Sequence, residues 1–238
     1  MLTRLAAVVL MMMTGLAAAA DPNEAAIRQA FQAKAPDLTV ESVARSPMPA
    51  LYEVVASGQI FYVDEKVNFV IRGSMFDART PAMRNVTAAR NAELSAVILR
   101  KSTDNAIKRV RGNGKRILYT FEDPNCGFCR KQQVEFLKLT DVTIYTFLWP
   151  ILSADSVEKS KAIWCSKDRA KAWDDIMSRG VAPHEAGTCE TPIDKNMELA
   201  RRFGAQGTPA IYLADGRSLG GYVAADKIEE AFKAPAPK

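Results

Sequence analysis

The apolar and polar residues near the start of the chain follow a helical spacing first and then a period of two. Pro22-Asn23-Glu24 opens a short amphipathic helix. Four β-rich stretches then follow, at residues 38–43, 51–55, 60–63 and 67–71. Turn-like segments separate these stretches. The pattern predicts an N-terminal unit over residues 21–84 with one helix and four strands.

A sheet of this size buries little apolar surface by itself. Pairing with a second copy would bury more, and two-fold dimers are common. We therefore expect dimerisation through residues 21–84. An independent monomeric module is the alternative.

The next stretch returns to helical spacing. Apolar residues from Val86 to Val110 recur at three- and four-residue intervals among charged ones, and Gly112-Asn113-Gly114 is a breaker. The pattern predicts a linker helix over residues 85–112, with a second unit over residues 113–235.

The second unit alternates strand and helix patterns. The predicted elements, in chain order, are a strand at 116–121, a helix from Cys126, a strand at 142–149, a long helical section at 156–180, a capping-box helix from Thr191-Pro192-Ile193-Asp194 to Gly204, strands at 209–213 and 218–223, and a helix at 225–232. A strand that feeds a helix opening with Cys-x-x-Cys is the thioredoxin-like arrangement. The chain is thus predicted to be an α/β (α+β) protein whose thioredoxin-like domain carries a helical insertion.

Composition and charge narrow the function classes. The chain has 238 residues, of which 48% are hydrophobic and 25% charged. Its formal charge of +5 is spread along the sequence, and no nucleic-acid-binding motif accompanies it. We interpret the charge as a solvated basic surface, with no nucleic acid as partner.

Residues 1–20 have the pattern of a signal peptide. Arg4 precedes an apolar centre at residues 5–16, and Ala18-Ala19-Ala20 forms a small-residue cleavage site before Asp21. The apolar stretch is shorter than the ~20 residues that a spanning helix needs, which disfavours a membrane anchor. We expect an exported soluble protein in a compartment where disulfides persist.

Cys126-Gly127-Phe128-Cys129 is the motif that carries chemistry. Two thiols at this spacing form either a reactive disulfide or half of a metal site. At the start of a helix, free N–H groups and the helix dipole stabilise a thiolate. Cys126 is therefore the predicted nucleophile, and Cys129 the resolving thiol. Asp123, three residues earlier, either acts on the thiol proton or closes the strand, and both interpretations stay open.

Cys165 and Cys189 form a second pair on the two sides of the helical insertion. An even number of cysteines in an exported protein favours a structural disulfide between them. One metal site built from all four thiols is the alternative, but the second pair lacks the tight spacing of a metal knuckle. We predict a disulfide, no metal, and no cofactor beyond the redox-active Cys126–Cys129 pair.

Five features of the sequence occur together: the signal segment, Leu51-Tyr52-Glu53-Val54, the Cys-Gly-Phe-Cys site, Lys161-Ala162-Ile163-Trp164-Cys165 and Gly207-Thr208-Pro209-Ala210. In this combination they resemble the periplasmic disulfide-bond isomerases of the DsbC/DsbG family. The second cysteine pair is more similar to the DsbC branch. Asp64-Glu65-Lys66 departs from the Asp-Gly turn of the family, so the shape of that turn is left open.

The resemblance implies a cystatin-like dimerisation domain at the N-terminus and a thiol:disulfide isomerase in the periplasm. It also implies that Pro209 is cis beside the active site, with the Thr208 backbone free to bind an extended substrate. The implied partners are misfolded disulfide-containing proteins, a second copy of the chain, and a membrane thiol reductase as electron donor. A disulfide oxidase and a chaperone-type holdase remain the alternatives.

Overall fold

The computed structural model describes residues 21–79, 81–184 and 186–236. The predicted signal peptide lies outside these residues. Among the described helices, none is both long enough and apolar enough to span a bilayer.

The N-terminal unit is one helix packed on an antiparallel sheet. Its elements are α1 (Pro22–Lys34), β1 (Val40–Arg45), β2 (Leu51–Ala56), β3 (Gln59–Asp64) and β4 (Val70–Ile71), and the strand order is β1-β2-β3-β4. Asp21 caps α1 by accepting from the N–H of Asn23, and Pro22 occupies the first turn. Ile27 and Phe31 of α1 pack in one buried cluster with residues of the sheet, including Phe61. The predicted helix and four strands are confirmed.

The turn at Asp64-Glu65-Lys66 shortens the fourth strand. The Asp64 carboxylate accepts from the backbone N–H of Phe69 at 2.7 Å, and the Val67 N–H donates to the Asp64 carbonyl at 2.9 Å. Val67 has a φ of 54° and is fully buried. The chain therefore returns to extended geometry only at Val70, and not at Val67 as the pattern predicts.

The remaining elements build the linker and a second, five-stranded sheet. They are β5 (Phe76–Asp77), β6 (Arg84–Asn85), α2 (Val86–Lys101), β7 (Ile107–Arg111), β8 (Arg116–Glu122), α3 (Gly127–Lys138), β9 (Val142–Leu148), α4 (Ala154–Cys165), α5 (Arg169–Arg179), α6 (Ile193–Arg202), β10 (Ala210–Leu213), β11 (Ser218–Gly220) and α7 (Ala225–Lys233). The strand order is β11-β10-β8-β9-β7, with β8 and β9 parallel and joined by α3. This is the predicted thioredoxin-like arrangement with a helical insertion.

The linker helix is shorter than predicted. It ends at Lys101, and Ile107–Arg111 forms strand β7, which pairs antiparallel with β9. Ile107 is buried, whereas Val110 is half exposed, so the two residues do not continue one helical face. The helix prediction is wrong from residue 102 because pairing with β9 decides the conformation of this segment, and the partner strand lies over thirty residues away.

The helical insertion also differs in detail from its prediction. The section at 156–180 is two helices, because Asp168 starts α5 by accepting from the N–H of Lys171. Pro192 is the N-cap of α6, and no side chain caps that helix, so the predicted capping box is wrong. Gly204 does follow its end with a φ of 64°.

Helix α3 buries a polar face. Gln132, Gln133 and Glu135 are buried together with Cys129 and Phe136. The exposed positions include Phe128, Val134 and Leu137. The sequence pattern predicts one apolar side formed by these three residues together with Phe136 and Leu139. Phe136 and Leu139 are buried as predicted, whereas the prediction is wrong for the other three. The inner polar groups reach backbone and side-chain partners on other elements, which satisfies them in the interior.

Candidate active site

A tight turn connects the end of strand β8 to the redox motif. The Asp123 carbonyl accepts from the Cys126 N–H at 3.0 Å, and the Asp123 carboxylate accepts from the Asn125 N–H at 2.8 Å. Its other oxygen accepts from the Leu152 N–H at 3.0 Å. Both carboxylate oxygens of Asp123 therefore bind backbone groups, which supports the interpretation that this residue closes the strand.

Cys126 is the N-cap of α3. Its sulfur accepts from the backbone N–H of Cys129 at 3.2 Å and lies 3.2 Å from the carbonyl oxygen of Thr208, to which its S–H donates. The Cys129 side chain, which donates to the Cys126 sulfur, lowers the pKa of Cys126 most, and the hydrogen bonds from the Thr208 side chain and the helix backbone add to this effect. These interactions outweigh burial and bring the pKa of Cys126 to about 6.

The pKa of Cys129 is shifted in the opposite direction. Both thiols are free, and Cys129 is fully buried. Burial, the hydrogen bond to Cys126 and the negative charge of Glu122 raise the pKa of Cys129 far above its ordinary range. These surroundings favour a thiolate at Cys126 and a thiol at Cys129 near neutral pH.

The Thr208–Pro209 peptide bond is cis. Strand β10 starts directly after it and pairs with β8, with Ala210 opposite Phe121. This pairing places the Thr208 carbonyl against Cys126, while Pro209 is buried and Thr208 is half-buried. The structure therefore brings together the four residues that the sequence singles out for catalysis and substrate binding.

Glu122 is a site residue that the sequence analysis misses. It ends β8, is fully buried, and burial raises its pKa to about 8. The Gln133 side chain donates to its Oε2 at 2.6 Å and to the Cys129 carbonyl at 3.2 Å. Its position two residues after Thr120 and four after Leu118, on the same face of a buried strand, is the signal that could have found it.

A polar cluster fixes the loop beside the motif. The Asn125 side chain donates to Asp155 at 2.8 Å and to Ser156 at 3.0 Å, and its oxygen accepts from Lys159 at 2.8 Å. These contacts tie the residue before Cys126 to the start of α4. The exposed side chains of Phe128 and Leu152 lie on the two segments that are joined in this way.

The second pair of cysteines is bonded to each other. Cys165 and Cys189 form a disulfide with a Cα–Cα distance of 5.7 Å. A single site built from four free thiols does not match this arrangement. Among the residues that the structure describes, no three His, Cys, Asp or Glu side chains gather in a group that could hold a metal ion.

Comparisons with known proteins give the family. Residues 18–88 match the disulfide bond isomerase protein N-terminal domain, and residues 103–235 match the thioredoxin-like domain. The chain is 39% identical over 214 residues to the probable thiol:disulfide interchange protein DsbC of Bordetella pertussis, covering 90% of this chain and 75% of the relative. It is 28% identical over 221 residues to the thiol:disulfide interchange protein DsbC of Escherichia coli, covering 89% and 88% of the two chains.

A solved structure agrees with these relatives. The crystal structure of a disulfide interchange protein from Neisseria gonorrhoeae superposes with a TM-score of 0.53 at 42% sequence identity, over 56% of this chain and 96% of that chain. The resemblance found in the sequence and the predicted thioredoxin-like fold are both confirmed. The thiols of Cys126 and Cys129, their divided pKa values and the matched domains lead to one conclusion: this chain belongs to the DsbC family of thiol:disulfide interchange proteins.

Proposed function

We propose that this protein is a homodimeric disulfide-bond isomerase that acts on misfolded exported proteins in the periplasm. The Cys126 thiolate attacks a wrong substrate disulfide and forms a mixed disulfide, while the other substrate sulfur leaves as a thiolate. A further substrate thiolate then displaces Cys126 and forms a new substrate disulfide. Cys126 is regenerated, so the cycle needs no net oxidant or reductant.

The observation that carries this proposal is the position of the Cys126 sulfur at the start of α3, where it accepts from the Cys129 N–H at 3.2 Å. Its surroundings lower the pKa of Cys126 to about 6, which favours the thiolate, the attacking species, at pH 7. Cys129 remains protonated at that pH because its pKa is raised. The reduced form of the site is thus ready to attack a disulfide without prior proton transfer.

The Thr208 backbone supports binding of an extended substrate. Its carbonyl lies 3.2 Å from the Cys126 sulfur, at the cis bond to Pro209. Once Cys126 has lost its proton, the carbonyl no longer receives that S–H and is available to a substrate N–H. Recognition through backbone hydrogen bonds tolerates many sequences, as an isomerase requires.

Cys129 rescues a mixed disulfide that no substrate thiol resolves. The proton of its S–H passes to the buried carboxylate of Glu122, and the resulting thiolate attacks the Cys126 sulfur. The Cys126–Cys129 disulfide forms, the bond from Cys126 to the substrate breaks, and the substrate leaves as a thiolate. A membrane thiol reductase then supplies two electrons to restore the dithiol.

The N-terminal unit supports dimerisation. Strand β4 is one edge of its sheet, and exposed apolar side chains lie on this strand, directly before it and after it in the chain. They are Phe69, Val70, Ile71, Phe76 and Met83. An open apolar edge is a template for pairing with another strand. We propose residues 21–84 as the dimerisation domain, α2 as the linker, and the unit from β7 onward as the catalytic domain.

The redox state of the protein in its own cells tests the isomerase assignment. Free thiols are trapped with an alkylating agent at the moment of lysis, and the modified protein is resolved by mass. We expect Cys126 and Cys129 to be trapped as thiols. A mainly oxidised pair would favour the disulfide oxidase instead.

A substitution separates the enzyme from the holdase. Cys126→Ala is expected to abolish refolding of a scrambled multi-disulfide substrate while aggregation of a reduced substrate is still suppressed. Refolding that survives the substitution contradicts the catalytic proposal.

A double substitution at the exposed edge of the N-terminal sheet tests the dimer. The variant that carries both Phe69→Asp and Ile71→Asp is expected to sediment as a monomer. A variant that stays dimeric would show that this edge is not the dimer interface.

A further inference from the structure

A chain of hydrogen bonds runs beneath α3 from the surface to Glu122. Nη1 of Arg109, on β7, donates to Asp174 Oδ1 at 3.0 Å and to Gln133 Oε1 at 2.7 Å. Gln133 Nε2 then donates to Glu122 Oε2 at 2.6 Å and to the Cys129 carbonyl at 3.2 Å. These hydrogen bonds therefore connect β7, α5 and α3 to the end of β8.

The guanidinium sets the direction of every bond in this chain. Arginine has donors and no acceptor, so the oxygen of the Gln133 amide must face Arg109 and its NH₂ must face Glu122. A second donor, Arg109 Nη2, is held by the Thr146 hydroxyl at 3.1 Å, which fixes the plane of the guanidinium. Oε2 of Glu122 is thus always an acceptor.

One oxygen of Glu122 remains for the proton. Oε1 of Glu122 is buried and forms no hydrogen bond of good geometry with the residues that the structure describes, although the Thr120 side chain is close enough to the carboxyl to lower its pKa. An acceptor-only Oε2 leaves Oε1 as the atom that carries the proton when the carboxyl is neutral.

We propose that Arg109 and Gln133 are positioning residues, which hold Glu122 so that Oε1 alone exchanges a proton and which set the pH range in which Cys129 becomes a nucleophile. This inference rests on the proposed role of Glu122 in resolving the mixed disulfide. Neither residue contacts the reacting sulfur atoms in any hydrogen bond described for the site.

Several charged groups face Glu122, and their signs define the effect of Arg109. Burial raises the pKa of Glu122 most, and the charges of Cys126 from the start of α3 and of Asp174 from α5 raise it further. The cation of Arg109 from β7 acts in the opposite direction. Cys129 faces Glu122 from the first turn of α3, and Asp123 follows it in the chain. Removing Arg109 is therefore expected to make the carboxyl harder to ionise.

The test measures the pH dependence of the resolving step in the full-length protein. A mixed disulfide between Cys126 and a short synthetic peptide is formed, and release of the peptide by Cys129 is followed across pH 5 to 10. We expect Arg109→Met to move the midpoint of release upward by about one pH unit, with release at pH 7 slower by about tenfold. Gln133→Met is expected to shift the midpoint in the same direction without removing a charge.

Two further variants separate a positioning role from a structural one. Arg109→Lys restores the charge and is expected to recover part of the shift. Arg111→Met is the matched control, because it removes a cation from the same strand that binds the carbonyls of Leu137 and Leu139 instead, and it is expected to leave the midpoint unchanged. The alkylation midpoint of Cys126 serves as an internal reference in each variant.

Different results would contradict the positioning role of Arg109 and Gln133 and the role of Glu122 itself. Unchanged midpoints in both Arg109→Met and Gln133→Met overturn the positioning role, even where Glu122→Gln slows release. Release that is insensitive to Glu122→Gln overturns the role of Glu122 itself. If Arg109→Met does not fold, Gln133→Met alone decides, because it keeps the charge and the approximate volume of the side chain.

Discussion

The reactivity of Cys126 depends on the residue one helical turn later. The Cys129 side chain makes the largest contribution to the lowered pKa of Cys126, and its backbone N–H contributes separately. We predict that Cys129→Ala raises the pKa of Cys126 from about 6 by one unit or more, because the S–H donor is lost and the N–H remains.

The measurement is the rate of alkylation of Cys126 against pH. Since the thiolate is the reactive form, the wild-type rate is expected to rise through a midpoint near pH 6 and to fall about tenfold per unit below it. In Cys129→Ala the whole curve moves to higher pH. An unmoved midpoint would show that the helix backbone alone stabilises the thiolate.

The buried carboxyl of Glu122 lowers the stability of the folded protein at the pH values at which it ionises. Its pKa is raised from an ordinary 4.5 to about 8 in the folded protein, so the wild type is stabilised by this group below pH 4.5 and loses that stabilisation as the pH rises toward 8. Glu122→Gln removes the ionisation. We predict that the variant gains stability relative to the wild type across this range, by a few kcal/mol at pH 8.

Urea unfolding of the reduced proteins at pH 4.5 and pH 8 checks this prediction. The difference in unfolding free energy between variant and wild type is expected to be larger at pH 8, while release of a mixed disulfide by Cys129 slows. A difference that is equal at the two pH values would mean that folding does not raise the pKa of Glu122.

At the scale of a single element, α3 is held by polar contacts on its inner face. Gln132 forms two hydrogen bonds with the Val223 backbone, one from Nε2 to the carbonyl at 3.0 Å and one from the N–H to Oε1 at 2.8 Å. Glu135 accepts from the Ala225 N–H at 2.9 Å, at the start of α7. These bonds join the helix of the redox motif to the C-terminal hairpin and helix.

We predict that Gln132→Leu destabilises the protein by about 1 to 2 kcal/mol, because it leaves a backbone donor and acceptor of the half-buried Val223 without their protein partners. Leu137→Gln, on the exposed side of the same helix, is expected to change the unfolding free energy by less than about 0.5 kcal/mol. Urea denaturation of both variants is the measurement. A larger loss for Leu137→Gln would contradict the burial pattern of α3.

Helix α3 also shows which features of the structure can be predicted from the sequence. Its start at Cys126 follows from a strand, a turn signal and the spacing of two thiols, which are all local features. Its inner face does not, because Gln132 is stabilised by Val223, over ninety residues later. Ile107 illustrates the same limit, because its pairing with β9 is a long-range contact that no local pattern of apolar residues shows.

At the scale of the whole molecule, an ion pair and a close backbone approach help to hold the N-terminal unit and the linker against the catalytic unit, whose core also buries Leu99 of α2. Arg202 of α6 forms an ion pair with Glu41 of β1, and the other oxygen of Glu41 accepts from the Gly58 N–H at 2.7 Å. The second contact is a close approach between the hairpin turn at Gly216 and α2. In a dimer, such contacts would set the orientation of the two active sites.

Gly216 has a φ of 80°, and a Cβ on this residue would lie 1.9 Å from the Ala92 carbonyl oxygen of α2. We predict that Gly216→Ala forces the helix away from the turn. Gly220→Ala is the matched control, since Gly220 has a φ of 84° and a Cβ there would meet no heavy atom of the described residues within 4 Å. Both variants place an alanine in the left-handed backbone region at the same cost, so the difference between their unfolding free energies reports only the clash with α2.

We expect Gly216→Ala to lose about 1 to 3 kcal/mol more unfolding free energy in urea than the control. Its refolding of a scrambled substrate should also fall further than its reduction of a small disulfide, because only refolding requires oriented sites. Equal losses in the two variants would mean that α2 is free to move from Gly216 without cost.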